Sequence, residues 1–181
     1  MINRILTLVL LAAFVAAVPL SAANQNSNRR APGWALPDPN FKFHDLMDYR
    51  GKVVLIEFMQ TSCPHCDEST AHLKGLVSRY GQDVVLIHIV NPPSSMQDVK
   101  KYIAKHLLTS PMLFDSGQVA ASYLQLSPSN PGFDTPHLFV VDPQGKIVND
   151  FEWSAATKSI FTGNGLVPIL DNLIKKVPKS R

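Results

Sequence analysis

Cysteine is nearly absent from this chain: there are two in 181 residues, Cys63 and Cys66. A pair this close in sequence cannot be a framework that staples a domain, because the loop it closes is too short to constrain much chain. Tetrahedral structural zinc usually takes two ligand pairs, and only one exists here, with His72 and His137 as distant candidates. Haem attachment needs a histidine directly after the second cysteine, where Asp67 stands. Charge is also sparse. Seventeen Lys and Arg against 14 Asp and Glu leave a formal net charge of +3, with no dense basic stripe, so nucleic acid is not an expected partner. Internal repeats are absent, and the one long apolar run lies at the extreme N-terminus.

That run, Ile5 to Val18, follows Arg4, is broken by Pro19, and precedes the small residues Ser21-Ala22-Ala23. This is the pattern of a signal peptide over residues 1–23, and the run is shorter than the ~20 residues that span a bilayer. The expected location is therefore exported, periplasmic or secreted after cleavage, with a membrane-anchored form as the alternative. Residues 24–36 read as a polar flexible leader, 37–177 as one domain and 178–181 as a basic tail. Outside the cytoplasm an accessible cysteine pair can stay oxidised, so the export signal and the pair bear on one question.

Val53–Met59 and Val84–Val90 are short, β-branched and nearly all apolar, as in strands covered on both faces of a parallel α/β sheet. Between them Leu73, Leu76, Val77 and Tyr80 recur at helical spacing, and Pro64 suits a first helical turn. A helix is expected over Met96–Leu107 and a shorter one over Gln118–Leu126, with a Ser127–Gly132 loop. His137–Val141 and Lys146–Phe151 read as strands of a hairpin joined by the turn Asp142-Pro143-Gln144-Gly145. Leu166, Ile169, Leu170, Leu173 and Ile174 stripe a closing helix.

In this arrangement Cys63 lies at a helix start, where free backbone N–H groups and the helix dipole favour a thiolate, the attacking species. Cys66 lies one turn deeper, placed to resolve a mixed disulfide. His65 between them offers a charge or a hydrogen bond to the Cys63 thiolate. A passive disulfide and a metal site are the other uses of such a pair. Glu57, in an apolar strand six positions before Cys63, is a carboxyl that burial holds toward its neutral form, suited to exchanging a proton with Cys66. His88 reads as a satisfied core histidine, and His72 and His106 as surface residues of helices.

The stretch Glu57-Phe58-Met59-Gln60-Thr61-Ser62-Cys63-Pro64-His65-Cys66 resembles the active-site segment of the thioredoxin superfamily. Gly51-Lys52-Val53-Val54-Leu55, Thr135-Pro136-His137-Leu138-Phe139-Val140-Val141-Asp142 and Gly145-Lys146 are similar to the TlpA/ResA-like redoxin branch. The resemblance runs from about Pro37 to Lys176. It implies an α/β thioredoxin-like fold, a central mixed β-sheet flanked by helices, with a TlpA-like helical insertion around Gln97 to Leu126. It also implies that Thr135-Pro136 is the family's cis-proline site, where the backbone docks substrate beside the cysteines. Cys63, Pro64, His65, Cys66 and Glu57 are then the catalytic set, with no metal and no cofactor. Met59 and Ser62 depart from the pattern, standing where thioredoxins usually carry Trp.

The dipeptide Pro64-His65 is that of the DsbA oxidants, whereas the scaffold is that of TlpA-like reductants. Stabilising a reduced thiolate makes a disulfide more oxidising, so the leading expectation is an exported oxidase or isomerase of protein dithiols. The alternatives are a TlpA-like thiol reductant in cytochrome or metal-site maturation, a copper-binding Sco-like protein, and a peroxiredoxin-like peroxidase. Sco proteins space their cysteines by three residues, and peroxiredoxins carry Thr or Ser where Gln60 stands and Pro where Ile56 stands. The expected partners are protein thiols and disulfides together with a membrane redox partner whose identity the sequence does not give.

Overall fold

The computed structural model describes residues 27–175, so the segment expected as a signal peptide and the basic tail lie outside the described residues. In chain order the elements are β1 (Arg29–Arg30), β2 (Ala35–Pro37), β3 (Phe43–Asp45), β4 (Val53–Met59), α1 (Pro64–Val77), β5 (Val84–Val90) and α2 (Met96–His106). They continue with β6 (Met112–Phe114), α3 (Gln118–Leu124), β7 (His137–Val141), β8 (Lys146–Glu152), α4 (Lys158–Phe161) and α5 (Val167–Ile174).

Six strands form one mixed sheet in the order β1-β8-β7-β4-β5-β6. β4, β5 and β6 run parallel, whereas β7 and β8 return antiparallel as the expected hairpin. Every residue of β4 is buried, as its near-continuous apolar run requires of a central strand. Alternation along it divides two cores. Val54, Ile56 and Phe58 pack with Tyr123, Phe139 and Trp34 on one face. Val53 and Leu55 pack with Leu73, Leu76, Phe161 and Leu170 on the other. This is the helix-flanked mixed sheet that the resemblance implies, and β4 carries the chain directly to the cysteines.

One expectation needs correction. Part of the stretch read as a flexible leader belongs to the domain: Arg29 and Arg30 pair with Ile147 and Lys146 of β8. Ala31 and Trp34 are buried, and the indole N–H of Trp34 donates to the Tyr123 hydroxyl at 3.3 Å. A polar surround masks two apolar anchors that cover the Phe139 face. The structure also adds β6, a three-residue strand after Pro111. Its shortness hides it from any periodicity argument.

The inserted helix α2 is capped at both ends. Ser95 and Asp98 form a reciprocal capping box, and Leu107 closes the helix in a left-handed conformation.

Candidate active site

Cys63 is the N-cap of α1, and Pro64 is its first residue, where a missing N–H leaves no bond unmade. The Cys66 backbone N–H donates to the Cys63 Sγ at 3.1 Å, so the helix start directs a donor at the more accessible sulfur. The Cys63 thiol reaches the Thr135 carbonyl at 3.4 Å, and the Thr135–Pro136 peptide bond is cis. The structure thus brings Cys63 and Thr135 together across 72 positions of chain.

Both cysteines are free thiols, Cys63 partly exposed and Cys66 buried. Cys66 packs among Met59, Val90, Val99, Tyr102 and Met112. Burial, then the Cys63 sulfur and the Glu57 carboxyl, pushes the Cys66 thiol above its ordinary range. One cysteine is therefore accessible and the other is held as a thiol.

Glu57 is fully buried on the α1 side of β4. Ser69, three residues beyond Cys66 on the buried face of α1, donates its hydroxyl to Glu57 Oε1 at 2.6 Å. His88, the direct neighbour of Glu57 in the β4–β5 register, places Nδ1 2.8 Å from Oε2. His88 Nε2 lies 3.1 Å from the hydroxyl of Ser110, which is partly exposed. His88 is a satisfied core histidine as read, and its partner is the candidate proton acceptor itself. The chain of polar groups Ser69–Glu57–His88–Ser110 crosses the sheet from below the cysteines to the surface.

His65 takes a different place from the one expected. Its ring is exposed and stacks on Trp153, with centroids 3.7 Å apart and planes 19° from parallel. No hydrogen bond joins it to Cys63 among the described residues. Trp153, just past β8, is a site residue with no local motif, and only the sheet order brings it beside α1.

The insertion is clamped to the site. The Tyr102 hydroxyl lies 3.1 Å from the Cys66 carbonyl and 2.9 Å from Thr70 Oγ1, and burial raises its pKa. Asp67 accepts from Lys105 at 2.6 Å and from His106 at 2.7 Å. The Lys105 ammonium, then His106, outweighs burial and holds the Asp67 carboxyl below its usual range. His106 is therefore a half-buried partner of Asp67, not a free surface residue. Among the described residues no group of three or more His, Cys, Asp or Glu side chains is arranged to hold a metal ion.

Known proteins resemble this chain in sequence and fold. Residues 28–149 match the AhpC/TSA family. The thiol-disulfide oxidoreductase ResA of Geobacillus thermodenitrificans is 29% identical over 117 residues, covering 65% of this chain and 64% of that protein. The chain thus spans just under two thirds of this relative's length. A thiol:disulfide interchange protein of Chlorobium tepidum superposes with a TM-score of 0.66 at 16% identity, covering 81% of this chain and 96% of that one. A secreted disulfide oxidoreductase of Mycobacterium tuberculosis, homologous to E. coli DsbE, gives 0.59 at 16%, covering 72% and 92%. These likenesses show the thioredoxin-like fold.

Proposed function

The chain belongs to the AhpC/TSA family, and from that premise we propose that it is an exported thiol–disulfide oxidoreductase of the ResA/DsbE kind, acting as a reductant of protein disulfides. The observation that carries the reading is the pairing of a half-exposed Cys63 at a helix start with a buried Cys66 thiol beneath it. The Cys63 thiolate attacks a substrate disulfide, one substrate sulfur leaves as a thiolate, and a mixed disulfide forms. Cys66 gives its proton to Glu57 and attacks the Cys63 sulfur. The second substrate sulfur then leaves and takes up a proton. The substrate gains two electrons, the Cys63–Cys66 pair loses two, and an external dithiol, in this reading a membrane redox partner, restores the pair. The Glu57–His88–Ser110 chain offers the accepted proton a route to solvent.

The reductant direction replaces oxidation as the leading reading. An oxidant of this type needs its reduced thiolate stabilised, and the side chain expected to do so, His65, is stacked on Trp153. The ResA relatives are named thiol-disulfide oxidoreductases, which supports the reaction class. Peroxide reduction is disfavoured because Gln60 replaces the hydroxyl residue of peroxidatic sites, and its amide donates to the Pro92 carbonyl at 3.0 Å.

Trapping tests the proposal. Cys66→Ala is expected to accumulate mixed disulfides through Cys63 with disulfide-bonded substrates, whereas Cys63→Ala accumulates none. Equal trapping by both variants, or by neither, contradicts the assignment.

A further inference from the structure

The thiol chemistry ends at Thr135, but the surface beside it continues into a cavity that this chemistry leaves unused. About 540 Å³ in volume, it is lined by Leu124, Leu126, Phe133, Asp134, His137 and Glu152, among others. His137 directly follows the cis-proline and is 6% exposed. Its Nε2 is held by Asp150, and its Nδ1 has no hydrogen-bond partner. With Nε2–H donating to that carboxylate, Nδ1 is a bare acceptor, and burying one unpaired is unfavourable. Asp134 and Glu152 form no ion pair with a Lys or Arg among the described residues.

We propose that this cavity receives a basic side chain, lysine or arginine, of the protein substrate, next to the cysteine engaged by Cys63. The proposal rests on the thiol–disulfide reading above and gives that reaction a substrate preference. Three features of the cavity match such a side chain. Leu124, Leu126 and Phe133 provide an apolar wall for its methylene stem. Asp134 and Glu152 supply the opposite charge, and the His137 ring, with its unpaired Nδ1, lines the wall between them. The location fits as well. Phe133, Asp134 and Thr135 precede β7 and enter no ladder pair, leaving this backbone open to a peptide laid alongside it. A peptide extended there with its sulfur at Cys63 turns alternate side chains toward the molecule. One of them meets the cavity flanking Thr135.

The test uses the full reduced chain and three disulfide-bonded peptides that differ only beside the cysteine, carrying Arg, Ala or Glu. The Arg peptide is expected to show about tenfold higher kcat/KM than the Ala peptide at low ionic strength, mostly through KM. The preference is expected to shrink toward about twofold at 0.5 M salt, as screening of exposed carboxylates requires. In the double variant Asp134→Asn, Glu152→Gln, the Arg-to-Ala ratio is expected to fall within about twofold of unity. Both side chains are exposed, so folding does not depend on them. Equal rates for Arg and Ala, a preference for Glu, or an Arg preference that survives in the double variant overturns the proposal. Failure to reduce any of the three peptides refutes the thiol–disulfide reading itself and takes the proposal with it.

Discussion

Replacing Glu57 with Gln removes the proposed proton acceptor while keeping the side chain's shape. In the wild-type protein the carboxyl accepts from Ser69 at 2.6 Å and lies 2.8 Å from His88, with no exposure to solvent. The amide oxygen can still accept from Ser69, but the contact with His88 loses its charge assistance, at a cost of about 1.5–3 kcal/mol. A domain with a typical 5–15 kcal/mol of stability stays folded. The kinetic effect is larger. A positioned general base contributes roughly 10²- to 10⁴-fold, so resolution of the mixed disulfide should slow by about a hundredfold or more at pH 7. The pH dependence follows from Cys66. Its thiol is pushed up by burial, so at neutral pH it is almost wholly protonated. Without an internal acceptor, the rate tracks the thiolate fraction and rises about tenfold per pH unit. The assay is stopped-flow release of the second substrate thiol from a preformed Cys63 mixed disulfide, across pH 6–8. Wild-type rates should change much less than those of the variant over this range. Equal rates and equal pH slopes would refute the proton-transfer argument and leave Glu57 a structural residue.

Two further perturbations test the surroundings of the pair. His65→Pro should move the reduction potential by less than about 10 mV, because the ring lies on Trp153 and makes no hydrogen bond to Cys63. Trp153→Ala frees the ring to approach Cys63, and one hydrogen bond worth about 1 kcal/mol should raise the potential by about 20 mV in redox titration. A fall of tens of millivolts in His65→Pro would instead assign His65 the thiolate-stabilising role. Asp67→Asn should loosen the contact of α1 with α2, by under about 1 kcal/mol for so exposed a carboxylate. Because the folded Asp67 carboxyl is held low, its contribution is complete above the ordinary carboxylate range near 3.8 and lost as pH falls through its lowered value. Urea titrations of variant and wild type should therefore differ at pH 7 and converge in strong acid.

The legible parts of this molecule were those whose signals are local. The cysteine spacing, Pro64 at a helix start and the long apolar runs of β4 and β5 mark the catalytic turn and the strands that hold it. The hairpin was readable from its Asp142–Gly145 turn, which Gly145 closes with φ of +83°. The rest depends on neighbours distant in sequence. Glu57 and His88 each looked like an isolated polar residue in an apolar strand, and only the parallel register makes them partners. Trp153 reaches His65 because of the sheet order, which no period or spacing encodes. Arg29 and Arg30 form a two-residue edge strand whose charged side chains resemble a solvated leader, so Trp34 was the better clue there. The cavity beside Thr135 joins the end of α3, a loop, β7 and β8, and His137 alone of its residues falls within the stretch Thr135–Asp142 read from the sequence.

The most direct test of the central claim is the equilibrium reduction potential of the Cys63–Cys66 pair, measured against glutathione or dithiothreitol at pH 7. With Cys66 kept as a buried thiol, the helix start is what stabilises the Cys63 thiolate, and His65 adds no hydrogen bond to it. A reductant is therefore expected, with a potential more negative than about −220 mV. A potential near about −120 mV, that of a strong oxidant, would contradict it.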